Sequence, residues 1–290
     1  MKENERITVA IPTYNRSIEL TNLLISLIGQ SYQNFDVVIY DDSETPTQKY
    51  PYFLSALRHL EKTKHKVVYK WGLQDNQRKG VAFARNQTTK LADTEYIVRI
   101  DDDSILDKNY LLELVEAMRK MEEKHGVDSV AAVGGVVPQF GEPFYYKHID
   151  NEGEDFIFNK IELDKEGNCV RIHDHGGYSW DYTKSKIIPC HHIRSTYMYK
   201  KSIHDEVGGH PTWTGDTGFR EETILTNKFS FHGYKIFMNL DAICWHDRGE
   251  SGGCRAPQFH QKNHRVDQYW RFKWMPKMVK RYGNPFSLYQ

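Results

Sequence analysis

The chain has 290 residues, 39% apolar and 27% charged, enough to bury the core of one large or two small domains. Its 39 Lys and Arg balance its 39 Asp and Glu, which excludes the net positive field of a non-specific nucleic-acid binder or of a protein that adheres to membranes over its whole surface. No apolar run approaches the ~18 residues of a membrane span, and the polar start Met1 to Arg6 lacks the layout of a signal peptide, so a cytoplasmic protein is expected. The cysteines Cys169, Cys190, Cys244 and Cys254 show no CxxC spacing and read as reduced thiols.

In chain order, Ile7 to Ile11 predicts a strand ended by Pro12, and Ser17 is expected to cap a helix with Leu20, Leu23, Leu24, Leu27 and Ile28 on one face up to Gly29. Phe35 to Tyr40 predicts a buried strand entering the polar turn Asp41-Asp42-Ser43, and Val67 to Tyr69 a third strand. Gly80 to Leu91 reads as a helix and Tyr96 to Ile100 as a strand running into Asp101-Asp102-Asp103. Asp107 is expected to cap the next helix, whose apolar face runs from Tyr110 to Met121 and which Gly126 stops. Strand and helix alternate, which predicts an α/β fold with a mainly parallel sheet and ligands beyond the carboxyl ends of its strands. After Val130 to Val137 the pattern breaks: Gln139 to Pro189 reads as loops and short hairpins of a substrate-facing lobe. Ser195 to Lys200 predicts a strand, Glu221 to Phe231 a helix and Tyr234 to Asn239 a further strand.

Three consecutive carboxylates at a strand end repel unless a cation or cationic side chains lie among them. Hard oxygen ligands suit Mg²⁺ or Mn²⁺, which in turn hold phosphate oxygens; the alternative is a solvated acidic turn. Asp41-Asp42 is equally open to a ligand role or a turn role, but two strand ends of one parallel sheet can face a single crevice. There one carboxylate would accept N–H groups of a base while another coordinates a diphosphate-bound metal. Neither GxGxxG nor GxxxxGK[ST] is present, which argues against dinucleotide oxidoreductases and P-loop proteins.

The blocks Ile7-Thr-Val-Ala-Ile-Pro-Thr-Tyr-Asn-Arg16, Val38-Ile-Tyr-Asp-Asp-Ser43, Gly80-Val-Ala-Phe-Ala-Arg-Asn86, Ile100-Asp-Asp-Asp-Ser104, Glu206-Val-Gly-Gly209 and Phe219-Arg-Glu-Glu-Thr-Ile-Leu225 resemble, in order and spacing, family 2 glycosyltransferases of the GT-A fold. The resemblance covers roughly residues 6 to 250 and implies a Rossmann-like sheet flanked by helices. A nucleotide-sugar-binding half (1–137), an acceptor-binding and catalytic half (138–254) and a basic aromatic helical extension (255–290) are expected. It implies a nucleoside diphosphate sugar donor, a UDP-sugar foremost, with Pro12, Tyr14 and Asp42 lining the nucleoside pocket and Arg85 and Asn86 near the diphosphate or sugar. Asp101, Asp102 and Asp103 match the family's DxD region: Asp103 is the expected metal ligand and Asp101 stands on the sugar or the metal shell. His246 matches a histidine that approaches the metal or diphosphate after the last core strand.

Family 2 enzymes carry Glu-Asp before a helix, the second acid acting as general base on the acceptor hydroxyl. Here the pair is Glu221-Glu222, so Glu222 takes the base position, with Glu221 as a neighbour or dipole partner and Asp216 as an outside candidate. The resemblance implies an inverting, Mn²⁺- or Mg²⁺-dependent transfer of a single sugar to a glycan, lipid-linked or polysaccharide-precursor acceptor, with no nucleic-acid partner. A silent nucleotide-sugar-binding protein and a nucleotidyltransferase remain the alternatives. Gly252-Gly253 and Arg255 read as a loop that closes over the diphosphate. His191-His192 and His173-Asp-His175 do not show a complete tetrahedral zinc spacing. From Arg255 to Gln290, eight Lys or Arg stand against one acid, with Tyr269, Trp270, Phe272 and Trp274 interleaved. This tail is expected either to lie on the inner face of an anionic membrane or to pack its aromatics on the domain. Gln268-Tyr-Trp-Arg-Phe272 only partly resembles the QxxRW motif of processive synthases, because the tryptophan does not follow the arginine.

Overall fold

The computed structural model describes residues 1–2, 4–75, 79–140, 146–148, 157–173, 179–181, 186–247 and 257–287. The first half alternates as the periodicity predicts: β1 (Ile7–Thr13), α1 (Ser17–Ile28), β2 (Phe35–Asp41), α2 (Pro51–Lys62), β3 (Val67–Trp71), α3 (Val81–Leu91), β4 (Tyr96–Arg99), β5 (Ser104–Leu106), α4 (Tyr110–His125) and β6 (Val130–Val136). Helix α2 is an element the reading above lacks, although Phe53, Ala56, Leu57 and Leu60 line its buried face and Pro51 opens it. Two expected caps are also corrected. Ser17 already lies inside α1, its hydroxyl 2.7 Å from that of Tyr52. Asp107 shapes the turn before α4 instead, its carbonyl accepting the Tyr110 N–H at 3.0 Å. Gly126 does stop α4, at φ +95°, with its N–H on the Glu122 carbonyl at 2.8 Å.

The second half adds β7 (Tyr146–His148), β8 (Ile161–Leu163), β9 (Cys169–Ile172), β10 (Ser179–Asp181), β11 (Ile187–Pro189), β12 (Tyr197–Lys200), α5 (Lys201–Glu206), α6 (Glu221–Phe231) and β13 (Lys235–His246). Helix α7 (His260–Tyr269), a π-helical turn (Trp270–Trp274) and α8 (Met275–Tyr282) follow. The main sheet runs β11-β13-β6-β12-β4-β1-β2-β3, with β5 paired to β13. Strands β4, β1, β2 and β3 are mutually parallel, and β6 is parallel to β13; β12 is antiparallel to both β4 and β6. Every residue of β1, β2, β4 and β6 is buried, as expected of strands covered by helices on both faces.

One core lies between the sheet and α1, α2 and α4; a second gathers residues of α3, α5 and α6 on the other face. A third, smaller core joins β8, β9 and α6 to the tail through Ile161, Cys169, Ile224, Phe231, Trp270, Met275 and Phe286. Cys169, Cys190 and Cys244 are buried and free. Cys254, His175 and the Gly252-Gly253 and Arg255 loop lie outside the described residues.

Candidate active site

Strands β1, β2 and β4 end along one edge, and their ends are tied together: the Asp42 N–H donates to the Thr13 carbonyl at 2.9 Å, and the Thr13 hydroxyl donates to Asp102 at 2.8 Å. Asp41 shapes the turn, its carboxylate accepting the N–H groups of Ser43 (2.8 Å) and Thr47 (2.7 Å) and the Tyr69 hydroxyl. Asp42 lies buried against Gly72, where a β-carbon would stand 2.5 Å from Asp42 Oδ1 and 2.6 Å from the Tyr40 ring. Only glycine lets the backbone pass that close. Pro12 is buried in β1, and half-buried Tyr14 donates its hydroxyl to Glu44 at 3.2 Å.

The three consecutive acids have three different surroundings. Burial alone would raise the Asp101 pKa, but Arg85, Arg99 and, further off, His246 and Arg16 hold it at about 2. Asp102 accepts Arg16 Nη1 at 2.9 Å, yet burial, with a smaller push from Asp103, outweighs Arg16 and brings it up to about 6. Asp103 accepts the same Arg16 nitrogen at 2.6 Å and stands 3.2 Å from His246 Nε2. The fold makes that last contact: β5 runs on from Asp103 and pairs with β13 so that Ser104 lies opposite His246, and the Asp247 N–H closes on the Asp103 carbonyl at 2.8 Å.

This donor set suits a divalent cation only in one form. Among the described residues no group of three His, Cys, Asp or Glu side chains converges on a point. One carboxylate and one imidazole, Asp103 and His246, fit a cation whose remaining ligands are substrate phosphates and water, the usual habit of Mg²⁺.

The start of α6 holds a second acidic pair. Glu221 is buried and gripped by the Arg99 fork, Nη1 to Oε2 at 3.1 Å and Nη2 to Oε1 at 2.8 Å, with Arg85 Nε at 3.9 Å. His210 Nδ1 lies 2.5 Å from Glu221 Oε2; burial, and then Arg99, push the His210 pKa well down, so this ring is neutral and donates from Nδ1. Glu222 is different: burial and the adjacent Glu221 raise its pKa against Arg99 and Arg194. Asp216 is exposed and pairs with Lys262 at 2.8 Å.

Arg85 and Asn86 are engaged inside the fold. Arg85 donates to the Ile100 carbonyl at 2.8 Å and to Asp101, while Asn86 clamps the His210 backbone, donating to its carbonyl at 3.0 Å and accepting its N–H at 2.8 Å. Arg16, Arg99 and His210 escaped the sequence reading because their roles appear only through partners distant in the chain. His191 Nδ1 accepts the Ile161 N–H at 3.0 Å, and His192 Nε2 lies 3.2 Å from the His173 carbonyl, so both are tied to backbone.

Parallel strands ending in buried acids, with a last long strand delivering a histidine beside them, are the GT-A architecture. The model of the family described as Glycosyl transferase family 2 matches residues 8–180, and the chain belongs to that family. It is 24% identical over 259 residues to the glycosyltransferase GlyG of Streptococcus pneumoniae, covering 88% of this chain and 75% of GlyG. It is 33% identical over 115 residues to the amylovoran biosynthesis glycosyltransferase AmsB of Erwinia amylovora, covering 40% of this chain and 36% of AmsB. The chain spans about a third of the length of several curated relatives it matches. GalNAc-T7, solved with UDP, GalNAc and Mn²⁺, shares the fold with a TM-score of 0.66 at 15% identity, over 100% of this chain and 53% of that one.

Proposed function

We propose that the chain transfers one sugar, with inversion, from a nucleoside diphosphate sugar to an acceptor hydroxyl. The observation that carries this reading is the division of labour at α6: Glu221 is locked into a buried network, whereas Glu222 beside it keeps a carboxylate of raised basicity. Glu222 takes the acceptor proton as the oxygen forms its bond to the anomeric carbon, and the nucleoside diphosphate leaves from the opposite face. One base and no covalent nucleophile suffice for such a displacement. Asp42, with Pro12 and Tyr14, receives the base of the donor. Arg85 and Arg99 fix Asp101 and Glu221, so that the strand ends and the start of α6 move as one body.

Asp103 and His246 would hold Mn²⁺ or Mg²⁺, which supplies charge neutralisation of the departing diphosphate. The solved GalNAc-T7 neighbour, with UDP and Mn²⁺, supports a UDP-sugar as the first donor to try. For the acceptor we propose a lipid-linked glycan at the inner face of a membrane. Among the described residues no helix is long and apolar enough to cross a membrane, but the tail exposes Tyr269 and Phe272 among basic residues. A panel of nucleotide sugars with Mn²⁺, read first by thermal shift and then by release of nucleoside diphosphate, tests the reading. Stabilisation without turnover would mean a binding protein, and release of pyrophosphate a nucleotidyltransferase.

A further inference from the structure

The residue just before Glu221 and Glu222 is strained. Arg220 has φ +66°, a left-handed conformation that a side chain other than glycine resists, and its carbonyl starts α6 by accepting the Ile224 N–H at 2.9 Å. Its conformation therefore sets the direction in which the first turn of α6 projects.

One face of α7 reaches this segment at three places. Lys262 Nζ meets Asp216 at 2.8 Å, Asn263 accepts the Thr217 hydroxyl at 3.0 Å, and Asp267 Oδ1 accepts Arg220 Nε at 3.0 Å. The other oxygen of Asp267 takes Arg271 Nε at 2.7 Å, so the carboxylate is itself held from one turn further on. The Arg220 guanidinium lies 5.5 Å from the centre of the Trp270 ring and 5.3 Å from that of Phe219. Trp270 is fully buried in the small core that it shares with Ile224 of α6, and it opens the π-helical turn, a device frequent at functional sites.

We infer that α7 is a brace for the helix that carries Glu222, and that Asp267 is a positioning residue acting through Arg220. The ion pair and the ring beneath it hold Arg220 in its left-handed state, and that state aims Glu222. Strained backbone of this kind persists only where surrounding contacts fix it, and a base displaced by about 1 Å loses much of its effect. The inference rests on Glu222 as the base proposed above.

Asp267→Ala should lower turnover roughly tenfold at unchanged KM for the donor, because the strand-end site does not include α7. Amide deuterium uptake over residues 215–226, which needs no substrate, should speed up in the same variant. Adding Arg220→Gly should restore most of the turnover and slow the exchange again, since glycine adopts φ +66° without help. If Asp267→Ala does not fold, Asp267→Asn keeps the shape and removes the charge. Wild-type turnover and exchange in Asp267→Ala would overturn the inference, as would a double variant no better than the single one, which would mark Asp267 as a tail-packing residue alone. Glu222→Gln is assayed in parallel: normal turnover there removes the base reading, whereas the exchange measurement still decides the brace.

Discussion

The acids at the strand ends and the acids that open α6 are wholly or partly buried, yet they are held in different ways. Asp41 finds two of its donors within six residues, in Ser43 and Thr47, and a third in the Tyr69 hydroxyl, while Asp102 and Asp103 share a single Arg16 nitrogen. Glu221 is matched completely, by the Arg99 fork, 122 residues away in sequence, and by His210. The difference separates scaffold from machinery: a carboxylate with its full set of partners holds two elements together, and one with a partial set is ready for a ligand or a proton. Glu222 and Asp103 fall in the second group and Glu221 in the first.

The sharpest way to break this division is Glu222→Gln, expected to lower kcat by roughly 10²–10⁴-fold with donor affinity preserved. In the wild type, kcat should fall as pH drops through a pKa above the ordinary glutamate value, because the base works deprotonated and burial beside Glu221 raises it. Normal turnover in the variant, beside an inactive Asp216→Asn, would move the base to the exposed loop acid. Arg99→Met tests the scaffold: Glu221 would be left buried without its fork, at a cost of about 3–5 kcal/mol in a urea melt. An unchanged midpoint would show that His210 and Arg85 suffice.

Asp103→Ala should leave the fold intact, since its backbone bond to Asp247 remains, and should weaken Mn²⁺-dependent UDP binding by at least the ~10–100-fold that loss of an outer metal contact costs. Equal enhancement by Mn²⁺ in titrations of wild type and variant would exclude Asp103 as a ligand. The smallest effect expected is at the tail surface. Replacing Tyr269 and Phe272, 50% and 43% exposed, by serine should reduce binding to anionic vesicles roughly tenfold or less, and a wild type that ignores such vesicles ends the membrane proposal.

Much of the first half was legible because its signals are local. Buried strands read as apolar runs, α1 and α4 as helical stripes, and Gly126 as a stop. The candidate acids were legible too, since consecutive carboxylates need an explanation on charge grounds alone. Arg99 was invisible: in the sequence it is one polar residue inside a strand, and only the fold brings Glu221 to it. His210 and Asp267 are of the same kind. Asn86 carries a second tie of this kind, because its motif lies beside the site while its amide closes on the His210 backbone, 124 residues away. Ser17 and Asp107 show that a residue suited to capping occupies a cap only where the chain enters the helix at that point.

The place of β12 in the sheet has a consequence for how the protein is made. Residues 197–200 insert between β4 and β6, both of which leave the ribosome earlier. Until β12 arrives, those two strands each present an open edge, and the antiparallel bridge between the two parallel sets cannot close. The β1–β4 unit can assemble first from neighbouring contacts, whereas completion of the sheet waits on pairings between segments far apart in sequence. Such pairings are slow, and the exposed edges in the interval invite association with other chains. Synthesis therefore passes through a vulnerable stage that β12 shortens and that ends only when β13, the other neighbour of β6, docks.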